Sequence, residues 1–255
     1  MLSTDVNKYY KAIEEIKQSN IYGCLAGSCL LPAENRENWE EEPDIDIFAY
    51  NEAAWIQAIA ILQYKYGYAV GQAKSNEQDK LQNQWKIDKT IKSGVNKKNG
   101  IKLSTVKLNK NNITVNVSIK KYASSAIDVI LTFDQTLIMR AWDIQTGNSY
   151  NLSKDPDTNE PTDTVSYPNM YREYDYSIFD TPWYLRQFDR VIKYWNRGYN
   201  TLPVAKFYLH MVTKTIEESN LWDSENYVKY REEFLKEWAP VKDKIKNWIK
   251  EKEAE

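Results

Sequence analysis

The chain has 255 residues, with 34 Lys and Arg against 36 Asp and Glu, a formal net charge of -2 and an isoelectric point near 5.7. That balance excludes a molecule that is basic all over, of the kind that binds nucleic acid without discrimination. A single histidine, His210, and two cysteines, Cys24 and Cys29, leave no ligand set for structural zinc and no disulfide framework.

In chain order, Val6 to Ile16 carries apolar residues at helical spacing behind Ser3, Thr4 or Asp5 as N-cap, which predicts an opening helix. Ile21 to Ala26 reads as a short buried strand ended by Gly27-Ser28, and Pro32 to Pro43 as an aperiodic acidic loop. Ile45 to Tyr50 is a second strand. Ala53 to Tyr66 places Trp55, Ile56, Ile59, Leu62 and Tyr66 on one helical stripe, closed by Gly67 as C-cap. Ser75 to Ser93 is polar with weak helical propensity. Ile101 to Leu108 and Ile113 to Ile119 alternate and predict a hairpin, with Asn109 to Asn112 as its turn.

Beyond the hairpin, Ser124 or Ser125 caps a short helix ending at Leu131, and Phe133 to Ile144 reads as a strand turning at Thr146-Gly147-Asn148. Asn151 to about residue 169 is rich in Asp, Pro, Thr and Asn, as a linker is. Thr181-Pro182 opens a helix that stops near Gly198, followed by helices over about Val204 to Glu218, Glu225 to Glu237 and Val241 to Glu253. The expected class is therefore α+β: a mixed sheet flanked by helices over residues 1–150, a linker over 151–175, and an α-helical C-terminal module over 176–255. No apolar run approaches the roughly 20 residues that span a bilayer, and no charged-then-apolar leader opens the chain, so the expectation is a soluble cytoplasmic protein.

Charge is unevenly spread. Between Lys86 and Lys121 stand ten lysines and one acid, Asp88, whereas Glu34 to Asp46 is acidic. The basic lobe fits a polyanionic partner such as RNA or tRNA; a solvated lysine-rich face is the alternative.

In Pro43-Asp44-Ile45-Asp46-Ile47, residues two apart share one face of a strand, so Asp44 and Asp46 stand together while Ile45 and Ile47 face the core. Paired carboxylates need a cation or a proton, and hard oxygen donors suit Mg²⁺ bridging to phosphate oxygens. Fifteen residues upstream, Leu25-Ala26-Gly27-Ser28 ends a strand in a glycine that lets backbone amides approach an anion, followed by a hydroxyl.

The apolar-Gly-Ser step followed by Asp-apolar-Asp-apolar resembles the polymerase-beta-type nucleotidyltransferase superfamily. Ser124 to Phe133-Asp134 is similar to a segment of its viral and phage-encoded members. The helix from Tyr184 to Tyr199, with Arg186, Arg190, Lys193 and Arg197 at spacings of three and four, resembles the helix after the catalytic domain in CCA-adding and poly(A)-polymerase-like members. The resemblance implies a nucleotidyltransferase-like mixed sheet and a Mg²⁺-dependent (or Mn²⁺-dependent) transfer of NMP from a nucleoside triphosphate such as ATP to a hydroxyl acceptor, for instance an RNA 3′ end. Asp44 and Asp46 would hold metal with a third carboxylate, Asp134 or alternatively Asp128. Gly27, Ser28, Arg186 and Arg190 would bind the nucleotide. The slot in Ile113 to Ile119 that such families often fill with an acid holds Asn116. A domain that binds nucleotide without transferring it, as a phage particle component or one half of a toxin-antitoxin pair, is the alternative.

Overall fold

The computed structural model describes residues 4–32, 39, 41–70, 103–120, 123–170, 181–213 and 225–255. They form two compact units: one comprises Met1–Pro32, Glu40–Phe133 and Ile138–Leu152, the other Ala33–Trp39, Asp134–Leu137 and Ser153–Glu255. Two short pieces that precede residue 152, Ala33–Trp39 and Asp134–Leu137, belong to the second unit.

The first unit is built on a seven-stranded mixed sheet, as the α+β expectation requires. Its strands are β1 (Gly23–Ala26), β2 (Ile45–Ala49), β3 (Ala69–Val70), β4 (Leu103–Lys110), β5 (Ile113–Lys120), β6 (Arg140–Asp143) and β7 (Ser149–Asn151), in the order β3-β4-β5-β2-β1-β6-β7. The pairing of β2 with β5 is parallel and all others are antiparallel. Parallel neighbours need a crossover, and α2 (Glu52–Ala60), which lies between them in the chain, packs against both.

One sheet face carries the larger core. Leu25, Ile45, Ile47, Val106, Leu108, Val115 and Val117 pack there against α1 (Thr4–Lys17) through Tyr9, Ala12, Ile13 and Ile16, and against α2 through Trp55, Ala58 and Ile59. The helical stripes are what burial demands at spacings of three and four. Asn51 caps α2 by accepting the Ala54 amide at 2.8 Å, and the Trp55 indole donates to the Val117 carbonyl at 2.9 Å. After Ala60 the helix widens into a π-turn over Ile61–Lys65, and Gly67, at φ +72°, ends it as expected. Ile56, expected on the buried stripe, is 54% exposed.

The hairpin is tighter than its sequence reading. Asn111 and Asn112, both at positive φ, make a two-residue turn, so β4 runs two residues further into the expected loop, through Asn109 and Lys110, while β5 starts at Ile113 as expected. Asparagine tolerates the left-handed region, which a primed hairpin turn requires twice. The expected strand from Phe133 to Ile144 is instead a 3₁₀ turn over Thr136–Ile138 and then β6. On the opposite sheet face, α3 (Ala126–Leu131), capped by Ser125, packs over β1 and β6 through Ala126, Val129 and Ile130.

The second unit is mainly helical: α4 (Thr181–Asn196), α5 (Leu202–Val212) and α6 (Glu225–Glu253) share a core that includes Tyr184, Phe188, Val204, Tyr208, Trp238 and Ile245. Gly198 at φ +87° closes α4, with the Tyr199 amide returning to the Tyr194 carbonyl. Two helices were expected over 225–253; a single 29-residue helix runs through Pro240. Proline removes one backbone donor, and burial of Trp238, Val241 and Ile245 on the same stripe holds the helix together across it. The expected linker is ordered by bridges Lys154–Pro161, Gln135–Pro168 and Val165–Asn200 and by fully buried Ser153, Ser166 and Asn169. Ser75 to Ser93, and Lys86, Lys89, Lys92, Lys97, Lys98, Lys102 and Lys121 of the basic lobe, lie outside the described residues. Among the described residues no helix is long and apolar enough to cross a membrane.

Candidate active site

Strand parity puts Asp44 and Asp46 on the sheet face that α3 covers further along, while Ile45 and Ile47 are fully buried on the other. Asp46 is half-buried and Asp44 exposed. Across the antiparallel pair, Asp46 stands opposite Ala26, the residue before the glycine bend. Gly27 adopts φ +90°, a conformation costly to any side chain, and a Cβ placed on it would lie 3.7 Å from Asp46 Oδ2 and 3.8 Å from the Phe133 ring. Gly27 donates its own amide to the Arg140 carbonyl at 3.0 Å, which anchors the bend to β6. The chain then enters a 3₁₀ turn at Ser28–Leu30, in which Ser28 is 9% exposed.

On the other side of β2, the parallel register sets Asn116 opposite Asp46. Its Nδ2 donates to Asp46 Oδ1 at 3.0 Å and to Asp44 Oδ2 at 3.1 Å. One neutral amide thus holds both carboxylates with its two hydrogens, in the slot where the resemblance leads one to look for an acid. Rotating that amide by half a turn exchanges donor for acceptor and presents Oδ1, an oxygen ligand suited to a hard cation.

The two expected third carboxylates are engaged elsewhere. Asp128 lies in the first turn of α3, where Oδ2 accepts the Ser124 amide at 3.1 Å and the Ser124 hydroxyl at 3.2 Å. Hydrogen bonds from Ser125 and then Ser124 hold this carboxyl below the usual range. Asp134 is buried in the second unit and accepts a 2.5 Å charged hydrogen bond from Arg190, while its carbonyl accepts the Asn169 amide. Among the described residues, no three His, Cys, Asp or Glu side chains gather in a way that could hold one metal ion.

The expected cationic stripe of α4 is likewise divided. Arg186 is exposed, Arg190 is paired with Asp134, and the Arg197 guanidinium stacks 4.1 Å from the Trp39 ring while its carbonyl accepts the Trp39 indole N–H. Trp39 had no part in the sequence reading; an indole in an otherwise Glu- and Asn-rich loop was the signal available. Lys120, a member of the basic lobe, lies over the Phe48 and Phe133 rings at 4.9 and 4.7 Å and hydrogen-bonds to Thr132.

Neither cysteine is poised as a nucleophile. Burial pushes the Cys24 thiol up to about 12, and Cys29 is buried with Sγ 3.5 Å from the Ala26 carbonyl. The site is therefore a carboxylate pair on a strand of a mixed α+β sheet, bounded by a glycine-serine bend on one side and an amide on the other. No known protein-family profile matches the chain, and no curated protein matches it in sequence.

Proposed function

We propose that the sheet unit is a nucleotidyltransferase domain that binds a nucleoside triphosphate with a divalent cation and transfers NMP to a hydroxyl acceptor, an RNA 3′ end foremost. The acceptor oxygen loses its proton and attacks the α-phosphorus as the bond to the β-phosphate breaks and pyrophosphate leaves. The observation that carries this reading is the closeness of Asp46 to the Gly27 bend. An anion lying on the bend is next to a carboxylate, an arrangement that is repulsive unless a cation lies between them. Asp44 and Asp46 supply the carboxylate oxygens for that cation, and Asn116 supplies a third oxygen when its amide rotates. Mg²⁺ suits this all-oxygen donor set, with Mn²⁺ as a substitute. A cation held there offsets the charge of the phosphates during transfer.

Gly27 admits the phosphates close to the backbone because it has no side chain, and the Ser28 hydroxyl follows at the head of the next turn. Catalysis is then a matter of alignment and charge, with no covalent enzyme intermediate. The two free thiols suit a reducing compartment such as the cytoplasm.

A second reading has one specific observation in its favour. With Asn116 where an acid was sought, the site binds nucleotide without transferring it, and the chain serves as an interaction protein, in a phage particle or as a toxin-antitoxin partner. Thermal stabilisation by ATP, CTP, GTP and UTP, each with and without Mg²⁺, separates binding from no binding; labelled nucleotide incorporation into an RNA pool separates transfer from binding. The double variant Asp44→Asn, Asp46→Asn keeps acceptors for Asn116 and so keeps the fold, and it should lose both responses. Undiminished incorporation by that variant would eliminate the carboxylate pair as the site.

A further inference from the structure

The sheet face that bears Asp44 and Asp46 has a second polar row beside them. Lys107 on β4 stands opposite Asn116, Asn116 stands opposite Asp46, and Asp46 stands opposite Ala26 at the glycine bend. Residues opposed across a ladder project to one face, and strands lie about 4.8 Å apart, so the Lys107 backbone is about 10 Å from that of Asp46 on the side away from Gly27. Lysine carries its charge on a flexible four-carbon stem, which covers a good part of that distance.

The other polar groups of this surface are satisfied by one another. The Thr105 and Ser118 hydroxyls pair at 2.8 Å, Thr114 donates to Asn109 at 2.9 Å, and Asn116 donates to both aspartates. The remaining described lysines of the basic lobe are also occupied, Lys110 lying 5.5 Å over the Tyr68 ring and Lys120 over Phe48 and Phe133. Lys107 is exposed, and among the described residues its ammonium has no hydrogen bond, ion pair or ring contact.

An uncommitted ammonium two strands beyond a carboxylate pair separates the two sides of the site by charge. The triphosphate side is served by Gly27 and Ser28. On the far side, two carboxylates repel an approaching polyanion, and a fixed positive charge there is what lets one settle. Thr105, Asn109 and Thr114 around Lys107 offer hydroxyls and amides and no apolar anchor, which suits a sugar-phosphate chain better than a protein surface. We infer that Lys107 binds a backbone phosphate of a single-stranded nucleic-acid acceptor close to its terminal hydroxyl, on the side of the Asp44–Asp46 pair opposite the triphosphate. This rests on the reading of that pair as a nucleotide site.

The test measures two affinities of the full chain and of Lys107→Gln: for a short labelled single-stranded RNA at several salt concentrations, and for Mg²⁺ with ATP. One lost phosphate contact should make the slope of log affinity against log salt shallower by about 0.7 and weaken RNA binding about three- to tenfold, with Lys107→Arg close to wild type. ATP affinity should stay unchanged, because the lysine is on the acceptor side. An unaltered RNA affinity and slope in Lys107→Gln overturns the inference. So does weakened ATP binding with RNA binding intact, which would move the lysine to the triphosphate. Wild-type binding of ATP but no RNA also overturns it, in favour of a small-molecule or protein hydroxyl, while leaving the nucleotide site standing. Failure of the wild type to bind ATP removes the nucleotide reading and this inference together.

Discussion

One face of the sheet changes character along a single strand. From Asp44 through Asp46 to Phe48 and Tyr50, successive residues on that side pass from two carboxylates held by an amide to two aromatic rings. Under α3 the face is sealed: Cys24, Ala26, Phe48, Met139 and Ala141 pack with Ala126, Val129 and Ile130. Towards β4 it carries Lys107, Asn109, Thr114 and Asn116, none of them buried. Among the described residues, none of these four belongs to a hydrophobic core cluster, so the open half is the one available for binding, while the closed half contributes stability through burial. Residues two positions apart on β2 should therefore respond to mutation in different ways.

The largest effect is expected in the closed half. Phe48 is 8% exposed, touches the Phe133 ring at a centroid separation of 5.8 Å and lies under Lys120. Phe48→Ala should cost about 3 kcal/mol in urea unfolding. A cost below about 1 kcal/mol would mean that the seal under α3 is loose.

Asn116→Asp tests the boundary between the halves. It removes both amide hydrogen bonds and sets three carboxylates together, so in chelator the variant should be less stable by about 2 kcal/mol. Added Mg²⁺ should restore that loss and stabilise the variant more than it does the wild type, as read from thermal unfolding with and without the ion. A variant whose midpoint ignores Mg²⁺ would count against a cation between these side chains.

The smallest effect lies at the far end of β2. The Tyr50 hydroxyl donates to Asp143 at 2.6 Å. Burial pushes the Asp143 carboxyl upward, but the hydrogen bond from Tyr50, with those from Thr146 and Gln145, outweighs it and leaves the group below the usual carboxylate range. A depressed value in the folded protein stabilises it above the unfolded-state value and ceases to do so as pH falls through the folded one. Tyr50→Phe should therefore cost about 1 kcal/mol near neutral pH, and the gap from wild type should close below about pH 4. A gap that persists unchanged into acid would assign the cost to packing against Tyr22 instead.

Local chemistry was legible in the sequence. The parity of Asp44 and Asp46, the bend at Gly27, the caps at Ser125, Gly67 and Gly198 and the hairpin all follow from residues within a few positions of each other, because strand alternation, helix period and positive φ are short-range properties. The hairpin register was misjudged by taking four turn residues where two suffice. With Asn111 and Asn112 alone as the turn, Lys107 falls opposite Asn116. The continuous helix through Pro240 escaped for a different reason, since the burial of Trp238 and Val241 that holds it is decided by distant packing.

What stands next to the carboxylate pair was decided only by the tertiary structure. Asn116 reaches Asp46 because β5 pairs in parallel with β2 across 70 residues of chain, and nothing local in either segment specifies that neighbour. Asp134 reads in sequence as readily as a metal ligand as it does as the partner of Arg190, 56 positions away. Sequence determined which groups could do chemistry and which face they occupy; the order of strands in the sheet determined which of them meet, because side chains from different strands become neighbours only through pairings that local periodicity does not encode.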